Sequence, residues 1–208
     1  LLKFEAGHFI GYQPRFFELK FGRNATVVEY AGAQFTGSID RVDVNAHGQA
    51  LIIDYKHKAS SGLESYSAKL KIDDEVSKDV LPRHVQSVIY AQIMRKQFTE
   101  FHLRPVGAIY LGTKEQKGKN VFALAGIATE AATEHIWNID SVYKKVKEQS
   151  VMVAAQNETT FNEYLDSWEE LIAKKVQAML EGDIYANPCD AEACKYCPVT
   201  LCNKRRLH

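Results

Sequence analysis

Gly37-Ser38-Ile39-Asp40-Arg41-Val42-Asp43 and, after a short turn, Leu51-Ile52-Ile53-Asp54-Tyr55-Lys56 put two acids and a lysine on what read as two neighbouring β-strands. Folding needs explain neither acid. Asp is depleted in strands, and Asp54 closes an apolar run where an unpartnered carboxylate is costly to bury. Residues 35–44 and 50–55 alternate or run apolar, as strands do, and the intervening Asn45-Ala46-His47-Gly48-Gln49 is rich in turn formers. A hairpin centred on His47 leaves a loop of about three residues in which Gly48 can take a left-handed conformation. It sets Asp40 opposite Asp54, with Cβ atoms roughly 5 Å apart and facing the same way. Lys56, two residues on, shares that face. A slip of one residue would break the convergence.

Two carboxylates so close repel unless a cation lies between them. Hard oxygen ligands favour Mg²⁺ or Mn²⁺, ions that keep several waters and bind phosphate. Such an ion polarises a scissile phosphate and lowers the pKa of a bound water. Lys56 is then placed to orient that water or to stabilise charge on phosphorus. The pattern predicts metal-assisted phosphodiester hydrolysis carried by Asp40, Asp54 and Lys56. An isolated Asp-x-Lys is more often a structural cross-strand pair; Asp40 opposite it favours catalysis.

Downstream, Pro82 suits the first turn of a helix, and Val85, Val88, Ile89 and Ile93 fit one apolar face, so a helix is expected over 82–98. Gln86 and Tyr90 are four apart and stack on one side of it. An amide and a phenol so placed can hydrogen-bond a nucleic-acid phosphate or hold Lys56.

This ordered set resembles the PD-(D/E)xK nuclease superfamily, specifically its RecB-like branch. Residues 37–43 match the second motif of that branch, Ile53-Asp54-Tyr55-Lys56 the third, and Gln86-Ser87-Val88-Ile89-Tyr90 its Q-x-x-x-Y helix. Glu18, in Phe16-Phe17-Glu18-Leu19-Lys20-Phe21-Gly22, resembles the strand that precedes the second motif in the AddB subunit of helicase–nucleases. The resemblance implies an α/β fold with a mixed central sheet flanked by helices. It also implies a Mg²⁺- or Mn²⁺-dependent deoxyribonuclease, with Asp40 and Asp54 as metal ligands and Gln86, Tyr90 and Glu18 in support. RecB-like nucleases further carry an upstream helix whose His or Glu binds metal. His8 is the sole histidine near the start, but Gly7 and Gly11 around it make poor helix context.

Cys189, Cys194, Cys197 and Cys202 are the only cysteines, spaced C-x4-C-x2-C-x4-C. Thiols clustered this closely are expected to hold metal rather than form disulfides, and a C-x2-C core commonly begins a soft-metal site. The cluster is similar to that of the iron–sulfur members of the branch, AddB and the CRISPR spacer-acquisition nucleases, in which one cysteine lies upstream of the core and three downstream. Two details depart: the last gap is four residues where those members usually have five, and no cysteine occurs near the N-terminus. A [4Fe–4S] cluster ranks first and Zn²⁺ second. Either would pin the tail, with Lys204-Arg205-Arg206, beside the core for phosphate contact.

At 208 residues, 46% hydrophobic and 25% charged, the chain is expected to be one globular domain, with its core over about 12–182 and the cysteine cluster at 189–202. A formal net charge of zero argues against a protein that coats DNA but not against a nuclease, whose basic groups need line only one groove. No segment is long and apolar enough to span a membrane, and a cytoplasmic location is expected. Strands are expected over 15–21, 26–30, 106–111 and 121–127, a polar loop over 59–80 and a helix over 130–147. A second helix carries Phe161, Leu165, Trp168, Leu171, Ile172 and Met179 on its core stripe, capped by Thr160 and stopped by Gly182.

The chain starts without Met inside apolar sequence and reads as a piece of a longer protein. The upstream helix is expected to lie outside it, so weak metal binding and poor cleavage are expected of this piece alone. Two function classes follow. The first is a DNA nuclease acting on single-stranded ends in a helicase–nuclease repair and recombination system, with a helicase subunit or domain as partner; the CRISPR spacer-acquisition type is the sub-alternative. The second is a non-catalytic DNA-binding module of the same fold.

Overall fold

The computed structural model describes residues 7–23, 25–57, 84–114, 124–136, 151–186, 192–195, 197–199 and 201–202. The expected loop over 59–80, Pro82 and Arg83, Cys189 and the basic tail lie outside the described residues, as do the beginning of the 121–127 strand and the end of the 130–147 helix.

In chain order the elements are β1 (Tyr12–Phe21), β2 (Val28–Tyr30), β3 (Ala33–Phe35), β4 (Gly37–Asn45), β5 (Gln49–Lys56), α1 (Gln86–Gln97), a 3₁₀ turn (Thr99–Phe101), β6 (Arg104–Gly112), β7 (Leu124–Thr129), α2 (Glu130–Ile136), β8 (Val151–Ala155), α3 (Glu158–Leu180) and α4 (Glu192–Lys195). Six strands form one mixed sheet in the order β1-β4-β5-β6-β7-β8, and β2 and β3 form a separate hairpin. The β5–β6 and β7–β8 pairs are parallel and the others antiparallel. The α/β class and mixed sheet expected from the sequence are what the chain adopts.

The apolar run of β5 follows from its central place. Ala50 and Ile52 pack on one face of the sheet with Val42, Val88, Ala91, Ile93 and Met94 and, from α3, Phe161, Leu165 and Trp168. Leu51 and Ile53 pack on the other face with Phe9, Ile109, Leu111, Leu124, Ala132 and Ile136. A strand covered on both faces has no polar side to show and so does not alternate. Each fully buried Leu or Ile contributes about 1.5–3 kcal/mol, so this double layer fixes β5 and whatever its C-terminal end carries.

The β4–β5 turn is as the sequence predicts. Arg41 pairs with Ile53 and Val42 with Ile52, a register centred on His47. The loop is Ala46-His47-Gly48, with Gly48 at φ 73°. The Asn45 side-chain oxygen accepts the His47 and Gln49 backbone N–H groups at 2.9 and 3.0 Å, so the turn residue satisfies its own loop.

Elsewhere the boundaries differ. The strand expected over 35–44 breaks at Thr36, whose hydroxyl donates to the Phe21 carbonyl, and β3 turns away to pair with β2. β8 lies beyond every strand read from the sequence. Thr160 does not cap α3. Asn157 does, its side chain accepting the Thr160 N–H at 3.0 Å, because the cap position needs an extended residue with the acceptor three positions back. Gly182 stops α3 as expected: at φ 97° it allows Gly182 N–H to reach the Met179 carbonyl and Asp183 N–H the Ala178 carbonyl, a Schellman ending. Phe161, Leu165, Trp168 and Ile172 of the α3 stripe are buried, but Met179 is 53% exposed, since the last turn runs past the sheet. No described helix is long and apolar enough to cross a membrane.

Candidate active site

Strand alternation places Asp54 and Lys56 on the face that Ala50 and Ile52 occupy, beneath α1. The β4–β5 ladder ends at Arg41 with Ile53, and the same register carried one residue further sets Asp40 opposite Asp54, as expected from the sequence. One Asp40 oxygen accepts the Tyr55 backbone N–H at 2.9 Å. The carboxylate thus takes a donor at the end of the ladder, and that bond fixes its orientation.

Asp54 is 1% exposed and forms an ion pair with the Lys56 ammonium. Burial pushes its carboxyl above the usual carboxylate range; Lys56 opposes this and the neighbouring Asp40 charge adds to it. Lys56 Nζ also donates to Gln86 Oε1 at 3.0 Å, and Gln86 Nε2 donates to the Tyr90 hydroxyl oxygen at 2.7 Å. The i, i+4 spacing of Gln86 and Tyr90 therefore does hold Lys56. Burial raises the Tyr90 phenol above its ordinary value, the Gln86 bond counters, and Asp54 and Asp40 raise it further. The phenol keeps its proton and can donate it.

Five of the six predicted side chains come together: Asp40, Asp54, Lys56, Gln86 and Tyr90. Glu18 stands apart on the edge strand β1. The pairs Phe17–Arg41 and Leu19–Ile39 set it level with Asp40. It is exposed, at φ 49°, and accepts a hydrogen bond from the Ser38 hydroxyl at 3.1 Å. His8 is buried in the turn before β1, next to Phe9, which packs on the opposite face of the sheet from Asp54. The structure thus gives His8 no helix, in keeping with its glycine neighbours.

On that opposite face lies a pair the motif reading passed over. Arg41 Nε and Nη2 bind the two Asp43 oxygens, each at 2.6 Å, and Nη1 donates to the Tyr55 hydroxyl at 3.0 Å. Both charged side chains are buried, and the guanidinium carbon lies 6.0 Å from the Phe9 ring centroid. The bidentate pair holds the guanidinium in place, and its bond to the Tyr55 hydroxyl ties β4 to β5 on the face opposite Asp40 and Asp54. The signal was in the sequence: Arg41 and Asp43 are two apart on a strand and so share a face.

Asp40 and Asp54 offer the hard oxygen donors that Mg²⁺ or Mn²⁺ prefers, and the mutual repulsion of the two acids is what such a cation relieves. The cysteines fit less well. Cys194 is buried, Cys197 exposed and Cys202 half-buried, and Cys189 lies outside the described residues. Among the described residues no group of three or more His, Cys, Asp and Glu side chains is placed to hold a metal ion.

A search of curated proteins found no match to the chain. The family model of the PD-(D/E)XK nuclease superfamily matches residues 3–202, spanning both the sheet and the convergent carboxylates, and the chain belongs to that superfamily.

Proposed function

We propose that the chain is a metal-dependent deoxyribonuclease domain whose catalytic residues are Asp40, Asp54 and Lys56. The observation that carries this reading is the convergence of a buried carboxylate, a second carboxylate on the facing strand and an ammonium ion-paired to the first. Mg²⁺ or Mn²⁺ held by Asp40 and Asp54 would polarise the phosphate and acidify a water. The chain's own groups do the rest. The Tyr55 N–H orients Asp40. The Lys56 ammonium, held by Gln86, stabilises negative charge building on the phosphorane oxygens. Tyr90 and Gln86 steer the backbone phosphate beside it, and Glu18 lines the rim.

The finer assignment is to the RecB-like branch, in its AddB-like form: an exonuclease on single-stranded ends, one domain of a cytoplasmic helicase–nuclease that serves DNA repair and recombination. The order of the three motifs and the clustering of the cysteines downstream of them support it; the CRISPR spacer-acquisition type shares these features and is the second reading. The cysteine spacing also supports a structural [4Fe–4S] cluster, with Zn²⁺ next. An absorption spectrum and metal analysis of anaerobically purified protein separate the two.

Single-stranded DNA cleavage with Mn²⁺, by the wild type and by Asp40→Ala and Lys56→Ala, tests the central claim. Loss of about two to three orders of magnitude in each is expected. Unchanged cleavage in both would leave a DNA-binding module instead.

A further inference from the structure

We propose that Tyr110 is the residue that fixes the working position of Lys56 and Gln86, a positioning role that rests on the nuclease reading above. Tyr110 lies on β6, where the parallel register sets it beside Asp54. Its side chain is fully buried. Ala108, two residues earlier, packs on the α1 face of the sheet, and alternation sends Tyr110 to the same face.

Two of its contacts there bear on the site. Its hydroxyl oxygen accepts the Ser87 backbone N–H at 3.0 Å. The first N–H groups of a helix have no acceptor within the helix, and a Ser, Thr, Asp or Asn at the cap normally supplies one. The cap position of α1 is Val85, which makes no side-chain cap bond. Tyr110 therefore supplies from a neighbouring strand an acceptor that the helix does not carry itself. Anchoring Ser87 anchors Gln86, the residue before it, whose amide oxygen holds Lys56 Nζ.

The second contact is direct. Lys56 Nζ lies 5.6 Å from the centroid of the Tyr110 ring, within cation–π range. A lysine ammonium rides on a flexible four-carbon stem, and its ion pair with Asp54 alone would leave it swinging about the carboxylate. Gln86 and the Tyr110 ring add a second and a third point of restraint, and Tyr110 stands behind both. Its contacts with the site run to the Ser87 amide and the Lys56 ammonium, so its role there runs through Lys56 and Gln86.

Tyr110→Phe removes the hydroxyl and keeps the ring; Tyr110→Leu removes both. In the 208-residue chain, hydrogen exchange at the Ser87 amide is expected to quicken about tenfold in Tyr110→Phe, the effect of losing one net hydrogen bond. With Mn²⁺ and single-stranded DNA, kcat is expected to fall about five- to tenfold in Tyr110→Phe and further in Tyr110→Leu, with KM within about twofold of wild type. In a Gln86→Ala background, Tyr110→Phe is expected to add no further loss in kcat, because the hydroxyl acts through the same restraint. Multiplying losses in that background, or unchanged Ser87 exchange, would overturn the proposal. The nuclease reading fails by a different sign: cleavage unaffected by Lys56→Ala, whatever the Ser87 amide does.

Discussion

Asp54 is asked to be charged where the fold would prefer a neutral group. It is 1% exposed and its carboxyl is pushed up by burial, so the site stores a cost that, among the described residues, the Lys56 ion pair offsets. Asp54→Asn keeps the shape and removes the charge. It is expected to abolish cleavage while leaving the melting temperature unchanged or higher, the usual trade at a site built for chemistry; a clear drop in melting temperature would mean Asp54 serves the fold. Asp43→Ala is expected to do the reverse. Removing the carboxylate from a buried bidentate pair takes from the Arg41 guanidinium its Asp43 counter-charge and costs about 3–5 kcal/mol, measurable by urea unfolding. The two aspartates of Gly37-Ser38-Ile39-Asp40-Arg41-Val42-Asp43 look alike by residue type alone. Hairpin register tells Asp40 from Asp43 by the face each occupies, and register follows from the turn, so Asp40, Asp54 and Lys56 are legible in the sequence. Tyr110 is not, because its role depends on the parallel β5–β6 pairing, and no local pattern encodes which distant strand lies beside Asp54.

Between elements, α1 and α3 are joined by a polar seam above the core. Gln92, fully buried, donates to Asp166 at 2.8 Å and to Glu169 at 2.5 Å. Arg95 also binds Asp166, and Lys96 binds Glu169 at 2.8 Å. Burial works against both carboxylates, yet the hydrogen bonds from Gln92, Arg95 and Lys96 together outweigh it and hold both below their ordinary values of 3.8 and 4.5. A carboxylate depressed in the folded state adds stability that is complete above its unfolded pKa and is lost as pH falls through the folded one. Melting temperature is therefore expected to fall as pH drops below about 4.5, and Asp166→Asn with Glu169→Gln should flatten that acid limb. An equally steep limb in the double variant would place the acid-sensitive groups elsewhere. The helices themselves are readable from apolar spacing, and the Gly182 stop from its backbone freedom. The Asn157 cap is not, because Thr160 is an equally good cap by type; only the chain's entry from β8 decides which residue is extended. β8 escapes a sequence reading because its pairing is parallel and follows a crossover from β7, with no turn signal to mark it.

For the molecule as a whole, the sheet and the proposed metal site are coupled through one strand. β5 is packed on both faces, pairs with β4 and β6, and ends in Asp54, Tyr55 and Lys56. A ligand that binds only the folded arrangement of Asp40 and Asp54 therefore stabilises the entire fold, by RT ln(1 + [L]/Kd), or about 2.7 kcal/mol at a hundredfold excess over Kd. Adding Mn²⁺ to the wild type is expected to raise the melting temperature with a dependence that saturates. Asp40→Ala and Asp54→Asn should lose the rise, because each removes one of the two negative charges that attract the ion and, for Asp40→Ala, both carboxylate oxygens as well. Cysteine variants at 194 and 197 should keep it, since Cys194 and Cys197 lie on and just after α4, outside the hairpin. A rise of the same size in all of these variants would show that Mn²⁺ binds away from the carboxylate pair. The hairpin would then keep its geometry but lose its claim to the metal, and the hydrolysis that depends on it.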